Sequence, residues 1–134
     1  MYIELHTRSA FTFLEGAALP EDLATAAARL DLPAIALLDR DGVYGAPRFH
    51  LKAKQLGIRA HIGAEISVEE PGLQSELPEW LKNSFPPPSV CYPLLAKTRT
   101  GYKNLCRLIT QYQVRAGKKG EGRATLEDLQ GHAA

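Results

Sequence analysis

The stretch Ile35-Ala36-Leu37-Leu38-Asp39-Arg40-Asp41-Gly42 is an apolar run that ends in three charged residues and a glycine. An apolar run of strand length, closed by turn residues, is typical of a parallel strand that is covered on both faces. Because α/β proteins place their sites at the carboxyl ends of such strands, we expect Asp39, Arg40 and Asp41 to lie at a functional edge of a sheet.

Strand-like and helix-like segments alternate on both sides of this stretch. The spacing of apolar residues predicts further strands at 2–6, 60–68 and 90–96, and helices at 19–30, at 43–56, from 100 and from 125. This alternation predicts an α/β protein built of parallel βαβ units, in which Pro93 marks the fourth strand as an edge strand or a bulged one. Four strands cannot close a barrel of the usual eight, so we expect the sheet to be completed by further chain or by a partner, or to stay open. An open edge favours self-association.

Two segments interrupt this alternation. Residues 70–89 are rich in proline and predict an insertion loop, and residues 115–124 form a basic, glycine-rich loop. Lys118, Lys119 and Arg123 make up the basic cluster of the second loop. These three side chains could contact nucleic acid, although a solvated loop is the simpler interpretation.

Composition limits the class of protein. A chain of 134 residues with 45% hydrophobic content suits one globular domain, and a net charge of +1 gives no chain-wide signature of nucleic-acid binding. Two cysteines are too few for a disulfide framework, and the first residues carry no signal-peptide pattern. No stretch approaches the ~18 apolar residues of a membrane span. We therefore expect a cytoplasmic protein with no membrane partner.

Polar residues at the predicted strand exits are the candidates for chemistry. They are His6, Arg8, Asp39, Arg40, Asp41, Glu65 and Cys91. Histidines and carboxylates at one sheet edge indicate a divalent metal site for phosphate ester hydrolysis, where a bound metal generates the nucleophile. The alternative is a buried network of ion pairs, which the shortage of histidines favours because zinc sites usually employ several.

Four segments together resemble a known domain family. They are His6 to Gly16, Leu38 to Tyr44, Gly63-Ala64-Glu65 and Gly101 to Leu108. They resemble the N-terminal PHP (polymerase and histidinol phosphatase) domain of bacterial DNA polymerase III α subunits, and in particular the error-prone, damage-tolerant branch. The resemblance implies that residues 1–134 form part of a distorted (β/α)7 barrel, incomplete at the C-terminus. Metal-dependent relatives use Zn or Mn, and some act as phosphoesterases or 3′–5′ exonucleases.

The resemblance carries over to the site one residue at a time. His6 and Glu15 match the first family motif, and Glu65 matches its bridging acid. Arg8 and Arg40 stand where the family has metal-binding histidines. Cys91 takes the place of another histidine on the fourth strand, and later histidine and aspartate motifs of the family fall beyond Ala134.

These departures imply that arginine replaces metal in this chain. We expect no bound metal, with Arg8 and Arg40 acting as counter-ions for Asp39, Glu65 and Glu15. If an ion were bound, the resemblance points to one set of ligands. That set is His6, Glu15, Asp39, Glu65 and Cys91.

The implied function is that of an N-terminal PHP domain with a degenerate site and a structural role. Its parent would be an error-prone DNA polymerase III α-type nucleotidyltransferase, acting in DNA replication and translesion synthesis with Mg in a separate polymerase module. This chain alone is expected to be inactive. Expected partners are the polymerase body, DNA through the parent, and mutasome proteins. Two alternatives stay open: a residual metal-dependent phosphoesterase or 3′–5′ exonuclease, and a module that binds DNA or a partner protein.

Overall fold

The structure is a computed structural model that describes residues 2–69, 76, 78–82 and 89–132. The strands are β1 (Glu4–Thr7), β2 (Ala34–Arg40), β3 (Arg59–Val68) and β4 (Val90–Leu95). The helices are α1 (Pro20–Arg29), α2 (Ala46–Gln55), α3 (Glu79–Lys82), α4 (Arg99–Ala116) and α5 (Leu126–His132). None of the helices within the described ranges combines the length and apolar character needed to cross a membrane.

The strands form a four-stranded sheet in the order β1-β2-β3-β4. β1 and β3 both run parallel to β2, and β3 pairs with β2 from Arg59 opposite Ala34 to Glu65 opposite Arg40. β2 is buried along its length until Arg40, as expected for a central parallel strand. The α/β class and the parallel βαβ units predicted from the sequence are therefore confirmed.

The last strand, β4, departs from the parallel arrangement of the βαβ units. β4 runs antiparallel to β3, with Gly63 opposite Leu95 and Val68 opposite Val90. A parallel neighbour needs a crossover connection, usually with a helix, whereas an antiparallel one can return directly. The described part of the connection contains the short helix α3, and most of the predicted insertion loop at 70–89 lies outside the described residues. Within the described ranges β4 has β3 as its one neighbour, so the edge position inferred from Pro93 is confirmed.

Local signals explain where the helices begin and end. α1 starts at Pro20 with two acids in its first turn, which complement the positive end of the helix dipole. α2 is followed by Gly57 at φ +72°, a left-handed conformation that favours glycine. A capping box precedes α5: the Thr125 amide donates to Asp128 Oδ2 at 2.8 Å, and the Asp128 amide donates to Thr125 Oγ1 at 3.2 Å.

The apolar core of the described residues consists of two clusters, one built on β2 and one built on β3. One cluster joins α1 and α2 to β2 through Ala24, Ala27, Ile35, Leu37, Phe49 and Ala53. The other joins α4 to β3 through Ala64, Ile66, Val68, Leu105, Leu108, Tyr112 and Ala124. The helices thus pack on the sheet and leave polar residues at the carboxyl ends of β1, β2 and β3.

Candidate functional site

Five predicted site residues lie together in one chain of ion pairs. They are His6, Arg8, Glu15, Arg40 and Glu65, and we call them the arginine–glutamate network. His6 lies near the end of β1, Arg8 follows that strand, and Glu15 comes from the loop before α1. Arg40 ends β2 directly opposite Glu65 of β3. The parallel strands therefore deliver these side chains to the same edge, as the sequence predicts.

Glu65 is the buried member of the network. Its side chain is 3% exposed, and its Oε1 accepts a hydrogen bond from Arg8 Nη2 at 2.7 Å and lies 2.5 Å from His6 Nε2. Burial acts to raise the pKa of Glu65, but the hydrogen bonds from Arg8 and His6 outweigh it and hold the pKa below its usual range. The same hydrogen bond with Glu65 raises the pKa of Arg8. Both groups are thus charged at neutral pH.

Glu15 links the two arginines. Arg8 Nη1 donates to its Oε2 at 3.0 Å, and Arg40 Nη1 lies 2.5 Å from its Oε1. One carboxylate therefore lies between two guanidinium groups, and Arg8 in turn bridges Glu15 and Glu65. This arrangement fits the expected role of Arg8 and Arg40 as counter-ions for glutamates.

We expected Arg8 and Arg40 to be counter-ions for Asp39 as well, but hydroxyl groups donate hydrogen bonds to its carboxylate instead. It is 1% exposed and accepts hydrogen bonds from the Ser9 amide at 2.7 Å and from the Ser9 and Thr12 hydroxyls. No described arginine forms an ion pair with Asp39. The fixed dipoles of buried donors can stabilise a carboxylate without a counter-ion. Asp39 thereby ties the loop after β1 to the end of β2.

Asp41 also has a different role from the one expected. Its carboxylate accepts from the Ser67 amide at 2.8 Å, the Ser67 hydroxyl at 2.6 Å and the Tyr112 hydroxyl at 2.7 Å. Its φ of +51° turns the chain away at the end of β2. The side chain of Asp41 therefore accepts from the Ser67 amide of β3, where a further carbonyl of β2 would otherwise accept. Through Tyr112 it also joins the sheet to α4. Burial, with help from Asp41, raises the pKa of Tyr112, which stays a hydrogen-bond donor.

Cys91 lies on β4 opposite Ser67, two positions along β3 from Glu65. It is half-buried and not in a disulfide. Cys91 lies close enough to Arg8 to interact with it electrostatically. Cys91 is thus near the network without a hydrogen bond to it.

The donor set of the network does not fit a metal cluster. In the described ranges no group of three or more His, Cys, Asp or Glu side chains is arranged to hold a metal ion. Guanidinium groups contact Glu15 and Glu65 instead, and a guanidinium has no lone pair to offer a cation. One potential ligand atom is free, because Oε2 of Glu65 is buried and accepts no hydrogen bond.

The basic loop lies on a different part of the surface. Lys118 and Lys119 line an open groove beside α4. Arg123 is directed back into its own loop, where Nη1 donates to the Gly122 carbonyl at 2.7 Å. Of the three predicted basic residues, Lys118 and Lys119 thus line the groove together.

Sequence reasoning missed three residues that organise the site. Ser9 and Thr12 are buried and bind Asp39, and Tyr112 binds Asp41 from α4. The hydroxyl residues of the loop after β1 were the available signal for the first two. Tyr112 reads as an ordinary core residue in the sequence, so no local pattern could have assigned its contact with Asp41.

This fold and site define a class of protein. The sequence matches the PHP domain family over residues 4–134, and the chain belongs to that family. The fold agrees with solved structures at low sequence identity. A protein described as a metal-dependent phosphoesterase from Bifidobacterium adolescentis superposes with a TM-score of 0.57 at 17% identity, over 87% of this chain and 36% of its own. An amidohydrolase from Chromobacterium violaceum, solved with sulfate and no metal, also gives 0.57, at 22% identity over 84% of this chain and 33% of its own.

Relatives with higher sequence identity indicate a particular branch of this family. The chain is 42% identical over 128 residues to the Error-prone DNA polymerase of Mycolicibacterium paratuberculosis, which covers 96% of this chain and 11% of the relative. It is also 42% identical over 119 residues to the Error-prone DNA polymerase of Anaeromyxobacter sp. (strain K), which covers 89% of this chain and 9% of the relative. The chain thus spans about a tenth of the length of these relatives, and its predicted resemblance to the error-prone branch is confirmed.

Proposed function

We propose that this chain is the PHP domain of an error-prone DNA polymerase and that it serves there as a structural domain without metal chemistry. The observation that carries the proposal is the position of Arg8 and Arg40, whose guanidinium groups contact Glu15 and Glu65. A metal cluster would supply positive charge to these acids. Two permanently charged arginines supply it instead and keep the carboxylates in place.

The parent protein would carry out the polymerase reaction. Its relatives are named Error-prone DNA polymerase and are about nine times as long as this chain, which supports a separate nucleotidyltransferase module. Under this proposal that module uses Mg. The PHP domain would pack on that polymerase body. The DNA contacts of the polymerase reaction itself, and contacts with mutasome proteins, belong to the parent under this proposal.

Elemental analysis and a phosphodiesterase assay test the loss of metal chemistry. The purified chain, incubated with Zn or Mn and then desalted, should contain far less than one metal ion per molecule. It should not hydrolyse a generic phosphodiester in a manganese-dependent way. Stoichiometric retained metal with manganese-dependent hydrolysis would overturn the proposal.

A matched pair of variants makes the test specific. Arg8→His with Arg40→His restores potential ligands beside Glu15 and Glu65 and removes two competing charges, so metal retention should rise. The control is Arg29→His with Arg48→His, which changes the same residue types outside the network. Equal metal retention by both double variants would contradict the role given to Arg8 and Arg40.

A residual phosphoesterase or 3′–5′ exonuclease is the second candidate. It is favoured by one observation, the buried and unpartnered Oε2 of Glu65 beside His6. Under this alternative the unaltered chain hydrolyses a phosphodiester with manganese, and His6→Ala abolishes that hydrolysis. Hydrolysis that persists in His6→Ala would come from a contaminating enzyme and would not support it.

A further inference from the structure

An open groove lies between the turn after β2 and the C-terminal end of α4. Its volume is about 490 Å³, within the range of roughly 300–1,000 Å³ that ligand sites occupy. We call it the Tyr44 groove. It is lined by Tyr44, Ile109, Thr110, Gln113, Val114, Gly117, Lys118 and Lys119. The groove thus combines an aromatic ring, an apolar floor and two cations.

The ring of Tyr44 lies against the backbone and is still largely open to solvent. A Cβ added at Gly42 would lie 2.0 Å from Cε2 of Tyr44, so the ring lies directly against the backbone at Gly42. The residue nevertheless keeps 65% of its surface exposed. A tyrosine side chain has only two torsions, so it loses little conformational entropy when a flat ligand stacks on its ring.

Lys118 and Lys119 supply positive charge across the groove. Gly117, at φ +71°, ends α4 in a left-handed conformation, and the two lysines follow immediately. Lys118 is 79% exposed, and its Nζ is 3.9 Å from Glu121, at the outer limit of an ion pair. Lys119 forms no ion pair with a described residue. The partial negative charge at the end of α4, about half an elementary charge, is smaller than the charge of the two lysines.

We propose that the Tyr44 groove binds single-stranded nucleic acid, with a base stacked on Tyr44 and neighbouring phosphates at Lys118 and Lys119. An aromatic platform beside basic side chains is the arrangement by which proteins bind single strands without reading sequence. Bases of a duplex are stacked on one another, so their faces are not available to Tyr44. An acidic peptide would use the lysines but not the ring. The proposal does not depend on the loss of metal chemistry.

Fluorescence anisotropy with a short labelled oligothymidylate tests this proposal, as a function of salt. Tyr44→Leu should weaken binding roughly fivefold to a hundredfold, because it removes one stacking interaction, and leave the salt dependence unchanged. Tyr44→Phe keeps the ring and should retain the affinity. Lys118→Ser with Lys119→Ser should reduce the slope of log K against log salt by about 1.4, since each phosphate contact on a single strand contributes about 0.7.

The matched control is Lys52→Ser with Lys54→Ser on α2, which removes the same charge from another surface and should bind like the unaltered chain. Circular dichroism melting checks that each variant folds. Oligothymidylate should bind more tightly than a duplex of equal length, and polyglutamate should not displace it. Any of three results overturns the proposal: no binding at low salt, equal losses from the two lysine pairs, or unchanged affinity in Tyr44→Leu.

Discussion

A carboxylate buried as deeply as that of Glu65 is stable in its charged form only where donors and counter-charges replace water. Arg8 and His6 do so on one oxygen, while the other oxygen has no partner. Burying a charge costs several kcal/mol before compensation, so the network depends strongly on Arg8. The direction of the Glu65 pKa shift shows that compensation exceeds the cost.

Removing Arg8 should destabilise the fold at neutral pH. Arg8→Ala is expected to lower the free energy of unfolding by about 2–3 kcal/mol, because it leaves Glu65 charged, buried and short of a partner. The value lies below the loss for a fully enclosed pair, since the Arg8 side chain is 33% exposed and His6 still contacts Glu65. Urea denaturation measures the change. Arg29→Ala, an exposed arginine on α1, is the control and should change stability by less than about 0.5 kcal/mol.

The effect of Arg8→Ala should depend on pH. In the unaltered chain the pKa of Glu65 is lower in the folded state than in the unfolded state, so its contribution is present above the ordinary pKa of 4.5 and is lost as pH falls through the folded-state value. In the variant, burial without Arg8 favours protonated Glu65. The stability gap between the two proteins should therefore shrink as pH falls from 7 through the ordinary pKa of 4.5 and below. A gap that does not change with pH would contradict this account of Glu65.

At the scale of elements, the contact between β3 and β4 is set by backbone proximity. A Cβ on Gly63 would lie 2.1 Å from the Leu94 carbonyl oxygen and 3.0 Å from Cγ of Leu38. A backbone atom in a paired strand cannot move aside as the end of a side chain can. Glycine at this position thus allows β4 to approach and pair with β3. Nearby, Pro93 of β4 has no backbone N–H and cannot donate a hydrogen bond to the sheet.

Two glycine substitutions should have opposite effects. Gly63→Ala is expected to lower the free energy of unfolding by about 2–3 kcal/mol through overpacking against β4. Gly101→Ala, in the first turn of α4, meets only Thr98 Oγ1 at 3.6 Å and Ala96 Cα at 3.9 Å, so it should stabilise by up to about 1 kcal/mol through helix propensity. Thermal and urea unfolding measure both. A Gly63→Ala variant as stable as the unaltered chain would show that β4 is not held at the described distance.

At the scale of the whole molecule, the sheet has open edges. Within the described ranges, β1 pairs with β2 alone and β4 with β3 alone. Unpaired strand edges expose backbone donors and acceptors that can pair with another chain. In the longer relatives, other parts of the protein would be available to cover such edges.

The isolated chain should therefore associate with itself as concentration rises. Leu5→Lys places a charge on β1, where Leu5 is 47% exposed, and should reduce the association. Leu51→Lys is the control, since Leu51 is 60% exposed but lies on α2, away from the sheet edges. Sedimentation velocity over a concentration series measures the effect. A strictly monomeric chain at all concentrations, or equal effects of the two variants, would rule out association through the sheet edge.

Local sequence determined most of the elements of this protein. The apolar run before Asp39 produced the buried parallel strand β2, and helix ends are marked by Pro20, Gly57 and Thr125. These signals suffice because strand burial and helix capping depend on residues close together in the chain. The sequence alone likewise showed arginine at positions 8 and 40, where the family has histidines.

Only the tertiary structure decided which charges meet and how the last strand runs. It placed Glu15 between the two arginines, gave Asp39 hydroxyl partners, and turned Asp41 toward Tyr112 on a distant helix. It also paired β4 antiparallel to β3. These outcomes depend on the path of connecting loops and on contacts between residues far apart in sequence, which no local pattern of residues specifies.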